Sequence, residues 1–313
     1  MNNLIFSLNT VLPIFFLILI GFFLKEKDLL TAEFRKKAST LVFYYALPAT
    51  LFLDVAGSDI KSAFHVSFVL YALGSALLVF FLGWFLASRL LPREQISACV
   101  HGAFRGNFAY VGLAVCRSLM PNQTLTAAVM VITFVIPLYN VLAILILSLY
   151  DPSGKRPKLK DILLSLVKNP LILAILAAIP FSWFGITLPV MVNQTLKYLG
   201  QLATPMALLL IGASLRPETF SSKPRGIAIA TLVKIVLAPL ICTFLALPFG
   251  FSAEELATLF TLHAVPSAAN SYIMTAQMGG DEELGAGIVM ATSLLSAVTM
   301  AIGIFLLRSF GVV

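Results

Sequence analysis

Long apolar stretches alternate with short polar connections along almost the whole chain. A helix that spans a bilayer needs about 20 mostly apolar residues. Ten stretches approach that length: 4–24, 38–56, 66–88, 95–116, 124–149, 161–181, 190–213, 226–248, 255–277 and 285–308. The connections between them hold turn formers and charges, and none offers room for a soluble domain. The pattern predicts an all-α membrane protein with ten transmembrane helices.

Composition agrees with lipid as the main solvent of this chain. Hydrophobic residues make up 59% of the sequence and charged residues 11%, whereas a soluble domain carries about 25% charged residues. The net charge of +7 comes from short basic runs between apolar stretches, which indicates membrane orientation and not a nucleic-acid-binding face. Cys99, Cys116 and Cys242 lie in apolar stretches without metal-ligand spacing, so we expect buried thiols and no metal or cofactor.

Positive charges divide unequally between the two alternating sets of connections. One set holds fourteen Lys and Arg residues between Lys25 and Arg225, whereas the opposite set holds only Lys61, Arg117 and Arg308. Cytoplasmic loops of membrane proteins carry the excess of Lys and Arg. The distribution therefore predicts a multi-pass protein of the cytoplasmic (inner) membrane with both termini outside the cytoplasm.

The two halves of the sequence resemble each other at an offset of roughly 157–163 residues. Pro48 in the second span aligns with Pro205 in the seventh, and Met130 in the fifth span aligns with Met290 in the tenth. Because five is an odd number, a second five-span unit must enter the membrane in the opposite direction. We therefore predict two inverted five-helix repeats, residues 1–150 and 161–313, an architecture typical of secondary transporters.

The fourth and ninth spans carry polar and helix-breaking residues near their centres. The fourth contains Arg105, Gly106, Asn107 and Tyr110, and the ninth contains Pro266, Ser267, Asn270, Ser271 and Tyr272. Proline lacks the N–H group and clashes with the preceding turn, so it breaks or kinks a helix. Small residues that pack helices, with asparagines as interhelical contacts, explain either span alone equally well. Interruptions in corresponding spans of both halves favour a transport site.

Charges within the spans favour an anionic substrate. An arginine near the centre of a span is energetically costly, so Arg105 should face the protein interior or a cavity. Asp54 is a candidate partner for it, and Lys234 in the eighth span is a second deep cation. His101 and His263 lie nearer the span ends, where they are candidates for a coupling proton or for a structural hydrogen bond.

Three segments resemble the auxin efflux carrier family: Tyr45-Ala46-Leu47-Pro48-Ala49-Thr50-Leu51-Phe52, Phe104-Arg105-Gly106-Asn107 followed by Gly112, and Pro266-Ser267-Ala268-Ala269-Asn270. The resemblance covers nearly the whole chain, and it is to the short prokaryotic members known as malate or malonate permeases. One position differs, since Ala114 stands where the family usually has a proline. A break in the fourth span would then depend on Gly106 and Gly112.

The resemblance implies that the helices form two domains with different roles. Helices 1, 2, 6 and 7 would form a scaffold that also dimerises, and helices 3–5 and 8–10 would form a transport domain in which the broken helices 4 and 9 cross. It further implies an elevator-type movement, with Asn107 and Asn270 binding the substrate carboxylate at the crossing. The expected function is secondary active transport of small organic anions such as mono- or dicarboxylates.

Two other functions compete with this one. A sodium-coupled organic anion symporter, as in the similar bile acid symporter family, would call for a denser cluster of carboxylates and amides around the crossing. An intramembrane enzyme would need paired acids, a Ser/His pair or a metal motif, yet Asp54 is the only clear acid inside a span. We therefore expect a transporter and not an enzyme, with its substrate, the bilayer and a second copy of the chain as partners.

Overall fold

The computed structural model describes residues 13, 16–17, 19–57, 65–120, 126–151, 168, 170–214 and 223–312, and these residues are mostly helical. We number the helices α1 to α10 in chain order. In the first half, α1 covers residues 19–26, α3 covers Val66–Leu90 and α5 covers Thr126–Leu149. Helix α2 joins Ala32–Leu41, a π-helical turn at Val42–Ala46, and Leu47–Ala56. Helix α4 consists of α4a, Arg93–Phe104, and α4b, which joins Phe108–Gly112 to Leu113–Leu119.

The second half contains the remaining five helices. Helix α6 covers Pro170–Phe184, and α7 consists of Val190–Gln201 and Ala203–Ser214. Helix α8 joins Pro224–Leu232, a π-helical turn at Val233–Leu237, Ala238–Ala246 and a short turn at Leu247–Phe249. Helix α9 is divided into α9a, Ala253–Ala264, and α9b, Ala269–Gln277, and α10 covers Glu282–Ser309. Most of the first predicted span and residues 161–167 of the sixth lie outside the described residues.

Two of the π-helical turns share a cause in the sequence. Each precedes a segment whose second residue is a proline, Pro48 in α2 and Pro239 in α8. Proline cannot donate a hydrogen bond to the preceding turn, and its ring clashes with a carbonyl there. A π-helical turn is one of the ways in which a helix absorbs such an interruption. Both helices therefore continue across their prolines.

Within the described part of the chain, four helices are long and apolar enough to cross a membrane: Val66–Leu90, Met130–Leu149, Pro224–Phe249 and Glu282–Ser309. Large apolar side chains are exposed along them, including Phe81, Phe85, Phe244 and Phe305. Exposed apolar surface on this scale marks contact with lipid or with a partner. These helices agree with a multi-pass membrane protein, while the count of ten spans stays a prediction.

The helices pack in two neighbourhoods. In the first, the last segment of α2 packs against α6 and α7, where Thr50 Oγ1 donates a hydrogen bond to the carbonyl of Gly200 at 3.1 Å. A Cβ atom on Gly200 would lie only 2.6 Å from that hydroxyl oxygen, so glycine permits the close crossing of α2 and α7. In the second neighbourhood, α3 packs on α4a, and α8 packs on α4a, α9a and α10. The three cysteines are free and buried, as predicted from their apolar surroundings.

Candidate functional site

Helices α4 and α9 are both interrupted by extended backbone. The residue after α4a, Arg105, is extended, with φ −83° and ψ 100°, and so is the residue after α9a, Val265, with φ −60° and ψ 151°. Val265 precedes Pro266, and a residue before proline disfavours the helical conformation. No proline is present at the α4 break, so this interruption needs another cause.

The two extended segments pair with each other. The N–H of Asn107 donates to the carbonyl of Pro266 at 2.8 Å, and the N–H of Ala268 donates to the carbonyl of Arg105 at 2.9 Å. These bonds satisfy four backbone groups that the interruptions withdraw from the helices. Within a bilayer such groups have no water to bind, so the pairing compensates the cost of both breaks.

The register of the pairing relates the two halves of the chain. Gly106 faces Ser267 in an antiparallel bridge. The two hydrogen bonds lie symmetrically about this bridge: in each, the residue after one bridge position donates to the residue before the other. The local backbone therefore has pseudo-two-fold symmetry. The two asparagines do not correspond in this register. Asn107 lies in the extended segment, whereas Asn270 lies in the first turn of α9b.

Gly106 allows the segments to approach closely. A Cβ atom at this position would lie 2.8 Å from both Lys234 Nζ and Val265 Cγ2, and 2.9 Å from the carbonyl oxygen of Leu262. Real Cβ contacts are longer than this, so a larger residue would force the crossing apart. The glycine therefore explains why α4 can be held open without a proline.

Lys234, on the π-helical turn of α8, caps the end of α9a. Its ammonium group is fully buried and donates to the carbonyls of His263 at 2.8 Å and Leu262 at 3.3 Å. The last carbonyls of a helix lack intrahelical partners and carry a partial negative charge. The lysine thus stabilises the break, and it does not line the cavity described next.

A cavity lies between the two helix neighbourhoods. Its volume is about 640 Å³, which includes the solvent-filled space at its opening. It is lined by Leu47, Thr50, Leu51, Ala203 and Ala207 from α2 and α7, by Ile136 and Tyr139 from α5, and by Arg105, Gly106, Asn107, Phe108, Ala109, Ala268, Ala269, Asn270 and Ile273 from the two broken helices. A mostly apolar wall with a few convergent polar groups is typical of a small-molecule site.

Arg105 brings a positive charge to the wall of this cavity. Arg105 is only 4% exposed, and its Nη2 donates to Asn140 Oδ1 of α5 at 2.7 Å while Nη1 contacts the Met274 sulfur of α9b at 3.3 Å. No carboxylate among the described side chains lies within ion-pair distance of it. The side chain of Asp54, the predicted partner, lies outside the described residues. The N-terminal ends of α4b and α9b add partial positive charge, so the cavity suits an anion.

Several buried polar atoms around this cavity have no partner within the described structure. They include Asn270 Oδ1 and the hydroxyl of Tyr139, both from cavity-lining residues, and Asn140 Nδ2 beside Arg105. Buried polar groups are nearly always hydrogen-bonded in folded proteins. Two of these unpaired atoms belong to residues that line the cavity, Tyr139 and Asn270, which makes both residues candidates for ligand contact.

Three predicted site residues instead make bonds inside the protein and do not line the cavity. The Ser267 hydroxyl donates to the carbonyl of Gly102 at 2.6 Å, and the Ser271 hydroxyl donates to the carbonyl of Ala268 at 2.6 Å. Tyr272 donates through its hydroxyl to Glu282 Oε1 at 2.9 Å. Pro266 contributes its backbone carbonyl to the pairing, and the side chain of Tyr110 lies outside the described residues.

The two histidines are fully buried and stand apart from the cavity wall. His101 Nδ1 and Thr275 Oγ1 share a hydrogen bond at 3.2 Å, and His263 Nε2 and Ser75 Oγ share one at 2.9 Å. These bonds fit the structural role that the sequence left open for both residues. A role in proton coupling stays a prediction.

Tyr139 and Asn140 were not predicted from the sequence as site residues. Asn140 is the one amide side chain in the largely apolar stretch 124–149, and a strongly polar residue inside a span is a candidate for a functional role. The sequence could therefore have indicated a role for Asn140, but only the fold shows that its side chain contacts Arg105. Tyr139 gave no signal, since tyrosine is common in apolar spans.

Comparison with known proteins identifies the class of the molecule. A family model described as "Membrane transport protein" matches residues 6–304. The chain therefore belongs to this family of membrane transporters, in agreement with the resemblance to auxin efflux carriers. It is a transporter and not an enzyme.

Individual relatives align along almost their full length. A protein of Rhizobium meliloti named "Putative malonate transporter" is 24% identical over 306 residues, which cover 96% of this chain and 95% of the relative. The "Uncharacterized transporter YfdV" of Escherichia coli is 24% identical over 313 residues, covering 97% and 99%. The "Uncharacterized transporter MJ1031" of Methanocaldococcus jannaschii is 23% identical over 305 residues, covering 94% and 97%.

Proposed function

We propose that this protein is a secondary active transporter of small organic anions, mono- or dicarboxylates, and that it binds them where α4 and α9 cross. The observation that carries the proposal is the buried Arg105, held by a neutral amide beside a cavity that the two paired breaks help to form. A guanidinium fork and helix N-termini both bind carboxylates, as they bind phosphates. The relative named for malonate supports the same substrate class.

The proposed architecture is ten transmembrane helices in two inverted repeats. Two features support it: the pseudo-two-fold pairing of Gly106 with Ser267, and the division of both α4 and α9 into half-helices of similar length. The separation of these two positions falls within the offset of roughly 157–163 residues at which the halves of the sequence resemble each other.

The proposed mechanism is an elevator-type movement. The cavity lies between a neighbourhood of α2, α6 and α7 and a neighbourhood of α3, α4, α8, α9 and α10. Sliding of the second group, together with α5, along the first would carry the crossing and its anion from one side of the membrane to the other. We further propose that the first group, with α1, forms a scaffold through which two copies dimerise, with both termini outside the cytoplasm.

A binding and uptake screen tests the assignment of the site. Purified protein is screened for thermal stabilisation by mono- and dicarboxylates, and the best ligand is then followed in uptake by proteoliposomes. Asn107→Ala should weaken binding about tenfold or more, since it removes a buried polar contact. Asn193→Ala on α7, an exposed amide outside the cavity, is the matched control and should behave as wild type.

Two results would overturn parts of the proposal. Undiminished binding and uptake by the Asn107→Ala variant would place the substrate elsewhere. Uptake that requires a sodium gradient under all conditions would replace the proposed mechanism by sodium-coupled symport.

A further inference from the structure

The half-buried Lys223 and the buried Arg105 have partners of different charge. Lys223, at the start of α8, is paired with Asp281, whose carboxylate oxygens lie 2.6 and 2.7 Å from its Nζ. Glu283 adds a second carboxylate at 3.6 Å. Arg105 instead receives a neutral amide oxygen from Asn140 and a thioether sulfur from Met274. Lys223 thus has carboxylate partners, whereas Arg105 at the cavity has none among the described side chains.

Among the described residues, the contacts of Arg105 hold its position and bring no negative charge to it. Its backbone N–H donates to the carbonyl of His101 at 3.2 Å and its carbonyl accepts from Ala268 at 2.9 Å, so the backbone is held on both sides. A guanidinium has five N–H donors and stays charged in proteins. The contacts with Asn140 and Met274 engage two of these donors, and the second contact is weak because a thioether is a poor acceptor.

We propose that Asn140 is a positioning residue that aims the Arg105 guanidinium at the cavity while leaving its charge for the substrate. The inference rests on the proposed function, and it adds that the transported carboxylate is the counter-ion of Arg105. An isolated buried charge is unfavourable, and a bound anion removes that penalty. The neutral partner thus converts the cost of a buried arginine into affinity for an anion.

The alternative is that Asn140 merely bonds α5 to α4, and charge distinguishes the two roles. Asn140→Asp has nearly the same shape and keeps an acceptor oxygen for Arg105, whereas Asn140→Leu removes the acceptor. A purely structural bond would survive the first change and be lost in the second. If Asn140 positions the guanidinium as a neutral partner, Asn140→Asp should lose more substrate affinity than Asn140→Leu. A carboxylate within hydrogen-bond distance would compete with the substrate for the guanidinium.

The experiment measures the Kd of the best carboxylate from the screen by isothermal titration of both variants. We expect a loss of about 100-fold or more for Asn140→Asp and about tenfold for Asn140→Leu. Thermal unfolding without ligand should leave Asn140→Asp at least as stable as wild type, since the new pair is complete. A Kd for Asn140→Asp within threefold of wild type would overturn the inference.

A second pair of variants approaches the guanidinium from α9b and keeps the test decisive if position 140 does not tolerate change. Met274→Glu brings a carboxylate to Arg105, and Met274→Gln brings a neutral acceptor of the same size. We expect the first to lose binding and the second to retain most of it, while equal affinities would contradict the inference. If wild type binds no carboxylate, the proposed function itself fails. If Asn107→Ala loses binding while Asn140→Asp and Met274→Glu keep it, only this inference fails.

Discussion

The two breaks at the centre of the molecule have the same backbone form but different origins. In α9 the local sequence ends the helix, since Pro266 withdraws a donor and keeps Val265 extended. In α4 the residues Phe104-Arg105-Gly106-Asn107 contain no proline. There the opened backbone is held by the α9 segment, through the two hydrogen bonds of the crossing and the close approach at Gly106.

This difference shows that the α9 break has a local cause in addition to tertiary contacts, whereas the α4 break depends on tertiary contact alone. A locally encoded break persists when neighbouring contacts are weakened, because the freed groups have no helical alternative. A break held by contacts can revert to continuous helix when they are lost. We therefore expect the α4 side of the crossing to be the more sensitive to substitution.

The largest effect is expected from Gly106→Ala. The added Cβ would meet Val265 Cγ2 at 2.8 Å and the Leu262 carbonyl at 2.9 Å, so the paired segments must separate. Overpacking of this kind costs about 1–3 kcal/mol, and we expect a lower melting temperature and near-complete loss of carboxylate uptake. Gly74→Ala is the control, because nothing lies within 4 Å of a Cβ there. Normal uptake by Gly106→Ala would show that the close approach is dispensable.

Lys234→Met should have the next largest effect. The apolar side chain fills similar space but leaves the carbonyls of Leu262 and His263 without their donor at the end of α9a. An unsatisfied buried group costs about 1–3 kcal/mol. The melting temperature measured without ligand should fall, and Lys234→Arg should restore part of the loss. A Met variant as stable as wild type would contradict the capping role.

Thr292→Val tests a single bond that holds the α9 break. Its hydroxyl accepts from the N–H of Ser267 at 3.0 Å, and valine removes that acceptor while keeping the shape. We expect about 1 kcal/mol of destabilisation and a small rise in the Kd of the substrate, with uptake retained. Complete loss of uptake would mean that α9 depends on tertiary contact as strongly as α4.

The smallest effect is expected from Pro266→Ala. The substitution restores an N–H group at position 266. The N–H groups of Ser267 and Ala268, however, stay bonded to the Thr292 hydroxyl and the Arg105 carbonyl. A continuous helix would have to break these bonds, so binding should change less than about threefold. Binding by this variant should be measured side by side with binding by Gly106→Ala, because both substitutions introduce the same residue, alanine. A larger effect for Pro266→Ala would show that the tertiary contacts of the α9 break do not suffice without the proline.

Much of the fold was predictable because lipid imposes simple rules. The long helices α3, α5, α8 and α10 follow from the length and apolarity of their stretches. Pro266 predicted one break, and the matching small residues around Gly106 predicted the other. Arg105, Asn107 and Asn270 line one cavity, and their role in binding a substrate stays a prediction.

The detailed contacts of the site could not be predicted from the sequence. The register that pairs Gly106 with Ser267 depends on backbone geometry that side-chain patterns do not encode, and Asn107 and Asn270 do not correspond in it. The contact of Asn140 with Arg105 joins helices α5 and α4, and the cap that Lys234 provides joins α8 and α9. A polar residue in a span signals a role, but its partner is set by helix packing.

The most direct test of the central claim is a structure of the protein determined by electron cryo-microscopy with malonate bound. We predict density for the dicarboxylate in the cavity at the crossing, with carboxylate oxygens within hydrogen-bond distance of the Arg105 guanidinium and the Asn107 amide. Malonate that binds in solution but occupies a position away from these two residues would contradict the account.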